Sequence, residues 1–230
     1  MKTIFFDIGE VLVDLRWHKT SERWGKRTNR PPAELQALLY GEGRKEPFDR
    51  GDIDAETYFA SVTDAAGDGA IREATEVAFR ELLEPRTWLG EAFDRLALRY
   101  HLGLISNIDP VHFAVFDAET TFRGITRSWL SFRYRQLKPH PSVFATALHN
   151  ANVRDPADAL LIDDRSENVA AAWEAGMKAV LVPDEDALRT VVNGLLETVR
   201  DCPYEKTRDC SRTCPDFRTC RGALRRPGRA

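Results

Sequence analysis

A chain of 230 residues with 43% hydrophobic residues and a net charge of −3 suits a globular protein with one sizeable core, or a core plus a smaller insert. That balance gives no case for nucleic-acid binding, and no apolar stretch is long enough to span a bilayer. Charge is uneven: residues 201–230 carry eight Lys and Arg against four Asp and Glu, which leaves 25 bases against 32 acids before them, so a basic tail follows an acidic body.

The first predicted strand is Lys2–Phe6, ending at Asp7. Asp7 and Glu10 break the apolar run, so it does not read as a signal peptide, and a cytoplasmic location is expected. From Asp14 to about Pro85 no clear strand is readable. Ala33–Leu39, Ala55–Val62 and Ile71–Leu83 have helical spacing, and the interval is too long for a loop. It reads as a helical cap over residues 15–85, with Trp17, Trp24, Phe48, Tyr58 and Phe59 as packing residues.

Beyond it the rhythm is regular. A helix over Glu91–Tyr100 leads into a strand over Leu102–Ile105 that ends at Ser106-Asn107. A helix over Ser142–Ala151 leads into a strand over Ala159–Ile162 that ends at Asp163-Asp164. A helix over Asn168–Ala175 stops at Gly176, and a strand follows over Ala179–Val182. Leu188, Val191, Val192, Leu195, Leu196 and Val199 keep helical spacing to the end of the body. Apolar strands alternating with amphipathic helices predict an α/β fold: a Rossmann-like parallel sheet from residues 1–14 and 86–200, with the helical cap inserted between them.

In an open parallel sheet the C-terminal strand ends form one edge, where ligands bind. Asp7, Ser106, Asn107, Asp163 and Asp164 should therefore converge, and Lys138, in "QLKPHPSVF", lies before a helix leading to the same edge. Carboxylates with one lysine and a hydroxyl suit phosphoryl transfer. An Asp can attack phosphorus, a hard cation such as Mg2+ relieves the repulsion between acids, and the lysine offsets charge on the transferring group.

These segments resemble the four motifs of the haloacid dehalogenase (HAD) superfamily of hydrolases. "FFDIGEVLVD", "LGLISN", "LKPHPSVF" and "LLIDDRSENVAAAWEAGM" occur in the family's order. The resemblance implies Asp7 as nucleophile, Ser106, with Asn107 beside it, on phosphate, Lys138 as a catalytic cation, and Mg2+ held by Asp7, the Gly9 backbone carbonyl and Asp164, with Asp163 alongside. "FDRGDIDAETYF", "LSNIDP" and "IDDRSENV" are similar to the sugar-1-phosphate phosphatases and the N-terminal phosphatase domain of soluble epoxide hydrolases. Gly9 departs from the pattern, because most family phosphatases carry a second Asp there as general acid and base. Glu10 is the nearest substitute.

The expected function is a Mg2+-dependent phosphatase acting through an aspartyl-phosphate on a small phosphorylated metabolite, for instance a sugar phosphate. The alternative is a non-catalytic phospho-ligand binder whose Cys-rich tail recruits metal or a partner. That tail holds all four cysteines, Cys202, Cys210, Cys214 and Cys220. Their spacing is not the paired C-x2-C of a convincing zinc site, so Zn2+ or an iron–sulfur cluster, disulfide pairing and no specific role all stay open. The sequence sets no oligomeric state.

Overall fold

The computed structural model describes residues 2–200, and the tail cysteines with their metal reading lie outside the described residues. Strand β1 (Thr3–Phe6) is buried along its length, as befits a strand covered on both faces. It pairs in parallel with β4 (His101–Ser106) on one side and β6 (Ala159–Asp163) on the other. Strand β5 (Ile125–Leu130) flanks β4 and β7 (Lys178–Leu181) flanks β6, giving the order β5-β4-β1-β6-β7, parallel throughout.

The period-2 alternation of the strands divides the core into two faces. Ile4 and Phe6 join Leu102, Leu104 and Ile162 under helices α6 (Leu89–Leu96) and α11 (Glu185–Arg200). Phe5 points the other way, with Ile105 and Leu161, beneath α9 (Pro141–Asn150) and α10 (Ser166–Glu174). Helix α10 ends where expected, with Gly176 in the left-handed region at φ 81°.

Between β1 and β4 the chain leaves through β2 (Val13–Leu15) and returns through β3 (Leu83–Pro85). The two form an antiparallel ribbon in which Val13 faces Pro85 and Leu15 faces Leu83. Within this insert run α1 (Trp17–Thr28), α2 (Glu34–Tyr40), α3 (Lys45–Asp49), α4 (Ala55–Ala66) and α5 (Arg72–Arg80). They close around a core of their own, including Trp24, Phe48, Tyr58, Phe59 and Phe79. Four of the five aromatics expected to pack are therefore buried, and Trp17 is partly so. Helices α7 (Pro110–Asp117) and α8 (Ser131–Tyr134) complete the chain beside β4 and β5.

Several expectations need correction. The helix read over Ile71–Leu83 ends at Arg80, and Leu83 belongs to β3, because the chain must turn extended to pair with β2. The interval from Asp14 to Pro85 thus contains the ribbon, whose two strands of three residues are too short to show a period. Helix α1 escaped notice because of its twelve residues only Thr20, Trp24 and Gly25 are buried, so no apolar stripe marks it. Strand β5 is an edge strand, and Thr126, Arg127 and Ser128 interrupt its apolar pattern. The helix read over Glu91–Tyr100 begins and ends earlier, at Leu89 and Leu96.

Candidate active site

Parallel pairing aligns Phe6 with Leu104 and with Ile162, so the residues just after these strands share one edge. Asp7 is the first of them; its N–H donates to the Ile162 carbonyl at 2.9 Å. Its carboxylate accepts from the Ile8 N–H at 2.7 Å and lies 3.1 Å from Lys138 Nζ. The Ser106 hydroxyl also faces it as a donor. Burial pushes the Asp7 carboxyl above its ordinary pKa; Lys138 and the donors offset part of this, while Asp163 adds to it.

Lys138 reaches the edge from the loop before α9. Asn107 brackets that loop: its Oδ1 accepts from the Lys138 N–H at 2.8 Å and its Nδ2 donates to the Lys138 carbonyl at 3.0 Å. The ammonium lies 2.6 Å from Asp163 Oδ2. Burial alone would lower the lysine's pKa, but Asp7 and Asp163 outweigh it and the net direction is up, so Lys138 is a cation.

The two acids after β6 differ sharply. Asp163 is fully buried, with Lys138 on one oxygen and the Arg165 N–H (3.0 Å) and Asn168 Nδ2 (2.8 Å) on the other. It is saturated with protein donors, which suits it to orient Lys138 and the loop better than to bind a cation directly. Asn168 thereby holds this loop. Asp164 is half-buried, and among the described residues its carboxylate meets only its own backbone N–H as a hydrogen-bond donor. Burial, Asp7 and Asp163 push its pKa up to about 6.

Carboxylate oxygens of Asp7, Asp163 and Asp164 all lie within 4.8 Å of one another. Among the described residues, three carboxylates against one lysine leave a net negative charge in a mostly buried place, with no cation in ion-pair contact with Asp164. That donor set fits a hard divalent cation such as Mg2+.

Gly9 is half-buried beside this cluster, and an added Cβ there would meet no heavy atom within 4 Å. Glu10 does not take the missing acid's place. It sits at φ 55°, half-exposed, with its carboxylate toward the Leu15 N–H, Asp14 and Arg86 at the foot of the ribbon.

Sequence reading missed Lys45, Asp109 and His112, which form a buried polar cluster between α3 and α7. An Asp followed by Pro at a helix start, as in Asp109-Pro110, was the available signal. It also missed Arg86, buried at the end of the ribbon and 2.5 Å from Asp14.

Comparison with known proteins bears on this edge. A family model described as HAD-hydrolase-like matches residues 137–195, the span holding Lys138, Asp163 and Asp164. No curated protein matches the chain. Among solved structures, a HAD family enzyme from Bacteroides thetaiotaomicron, determined with magnesium and inorganic phosphate, superposes with a TM-score of 0.69 at 21% identity, covering 79% of this chain and 93% of that one. A predicted HAD-like family hydrolase from Porphyromonas gingivalis gives 0.68 at 22% identity over 85% and 98% of the two chains. An L-2-haloacid dehalogenase from Xanthobacter autotrophicus, with chloropropionic acid covalently bound, gives 0.60 at 17% over 84% and 83%. The chain thus shares the fold of these structures over most of its length, and its similarity to the HAD-hydrolase-like family model lies in the segment that carries Lys138, Asp163 and Asp164.

Proposed function

We propose that the protein is a Mg2+-dependent phosphatase of small phosphorylated metabolites, with Asp7 as its nucleophile and residues 15–85 as the cap over its site. The observation that carries this reading is the charge arrangement: Asp7 oriented by Ile8 and Lys138, beside an Asp164 carboxylate that has no ion-pair contact among the described residues. The Bacteroides relative's complex with magnesium and inorganic phosphate supports the same chemistry.

Asp7 Oδ attacks phosphorus as the ester oxygen departs, forming an aspartyl-phosphate; water then attacks phosphorus and releases phosphate with the free Asp7 carboxylate. Lys138 neutralises charge on the phosphoryl oxygens, and Asp163 with Asn107 holds the lysine where it can do so. Ser106 steadies the Asp7 carboxylate, and its hydroxyl can turn to a phosphoryl oxygen. Mg2+, when held by Asp7, the Gly9 carbonyl and Asp164, would supply charge neutralisation at the same oxygens. With glycine at position 9, the departing oxygen takes its proton from water, which favours good leaving groups such as an anomeric or aryl oxygen.

Asp7→Asn should abolish Mg2+-dependent release of phosphate from p-nitrophenyl phosphate, and chelation should do the same to the wild type. Full activity in the variant would sink this mechanism. The dehalogenase relative supports a second reading, attack of the same Asp on a haloacid carbon. That reading leaves Asp164 without a role, and chloride release from 2-chloropropionate without added metal would favour it.

A further inference from the structure

The segment from Ser106, the last residue of β4, to Asp109 is tied at each of its four residues. The Ser106 hydroxyl faces Asp7, and Asn107 brackets Lys138. The next two ties lead away from the sheet edge and into the helical insert.

Asp109 is wholly buried. One of its oxygens caps α7, accepting from Val111 N–H at 2.8 Å and His112 N–H at 2.9 Å. The other lies 2.9 Å from Lys45 Nζ on α3 and 2.7 Å from His112 Nδ1. His112 Nε2 in turn donates to the Phe79 carbonyl on α5 at 2.7 Å. Lys45 also pairs with Asp49 one turn along α3 and is walled by the rings of Tyr40, Phe48 and Phe79, at 5.6–5.8 Å.

The tie at Ile108 runs through Ser131 at the start of α8. The hydroxyl accepts from the Ile108 N–H at 2.9 Å and donates to the Asp49 carbonyl at 2.5 Å. Gly51 lets the chain leaving α3 approach α8 this closely: at φ 72°, a Cβ there would stand 2.4 Å from the Phe132 carbonyl oxygen. Asp49, at the end of α3, thus touches both ties, through Lys45 and through Ser131.

Simple adhesion between insert and core would not need this arrangement. Apolar side chains of similar volume hold two surfaces together at least as well as a buried ion cluster, whereas charged hydrogen bonds fix direction. The partners here are the backbone of residue 108 and the side chain of residue 109, immediately after the residues that face Asp7 and Lys138.

We propose that Lys45 and Ser131 are positioning residues of the reaction, through which α3 of the insert sets the geometry of the Ser106–Asp109 loop and so its grip on phosphate. This rests on the phosphatase reading. It also gives the insert a part in phosphate binding itself, apart from any role in choosing the rest of the substrate.

The test uses the full chain with Mg2+, p-nitrophenyl phosphate as substrate and inorganic phosphate as inhibitor. Lys45→Met leaves two buried carboxylates short of a cation, so Ser131→Ala, which strands no charge, accompanies it. Each should raise KM and the phosphate inhibition constant at least five-fold, while the Mg2+ activation constant stays within two-fold. A merely structural role would lower the melting temperature and leave the phosphate constants unchanged. Wild-type phosphate constants in folded Ser131→Ala overturn the inference and leave the phosphatase reading standing. A wild-type protein that neither turns over the ester nor binds phosphate overturns both.

Discussion

At position 9 an added Cβ would meet no heavy atom within 4 Å, so nothing in the surrounding packing demands a glycine there. Under the phosphatase reading proposed above, the consequence is chemical: the site has Asp7 and its neighbouring acids but no carboxylate two residues on from Asp7 to carry a proton. Gly9→Asp should therefore be tolerated and should restore general acid help. Such help is typically worth about 10²–10⁴-fold, and a graft without its supporting contacts should recover roughly ten-fold of it for alkyl phosphates. Aryl phosphates, whose leaving group needs no proton, should change little. The ratio of kcat/KM for glycerol phosphate and p-nitrophenyl phosphate is the measurement, and an unchanged ratio would count against proton supply as the missing function. The same scale separates the adjacent acids. Asp163, surrounded by donors, organises the loop; Asp164, which meets only its own backbone N–H among the described residues, is the carboxylate with capacity to spare.

At the scale of elements, the contact between α3 and α7 rests on Asp109. Burial alone would raise its carboxyl pKa, but His112 and Lys45 overcome this and hold it below the ordinary value of 3.8. A carboxyl with a depressed folded-state pKa stabilises the fold fully above its unfolded pKa, and this stability fades as pH falls through the folded value. Asp109→Asn can still cap α7, so it isolates the ionic part. At neutral pH it should cost about 3 kcal/mol, the low end for breaking a buried pair. Urea unfolding over a pH series should show the gap to wild type narrowing below about pH 4. A gap that stays constant with pH would mean that Asp109 acts through its hydrogen bonds alone.

At the scale of the whole molecule, the sheet edge gathers three carboxylates from two strands and, among the described residues, leaves them with one lysine. A cation that binds there binds only the folded chain, so it should stabilise the whole protein. At about 100 times its dissociation constant the gain is about 2.7 kcal/mol, or roughly 5–10 °C in melting temperature for a protein of this size. Asp164→Asn should abolish the Mg2+-induced shift without lowering the metal-free melting temperature, because burial, Asp7 and Asp163 outweigh what Lys138 and the backbone give this carboxylate in the absence of the ion. Thermal unfolding with and without Mg2+ reads both. An undiminished shift in the variant would move the cation elsewhere.

Much of the edge was legible along the chain because strand ends carry their chemistry locally. Asp7, Ser106 and Asp163 each end an apolar run, and a parallel sheet covered on both faces brings such ends together whatever their separation in sequence. The helical character of the insert was also readable, from the apolar spacing of α2, α4 and α5. The ribbon, α1 and β5 were not, since three-residue strands, a mostly polar helix and an edge strand bury too little apolar surface to impose a period. The fourth motif set Asp164 apart from Asp163 only by resemblance, without the donors that distinguish them, and no local pattern could join Lys45 to Asp109 across 64 residues. Those assignments depend on which donors lie within hydrogen-bond reach after folding. That is a property of packing between distant segments, which only the tertiary structure decided.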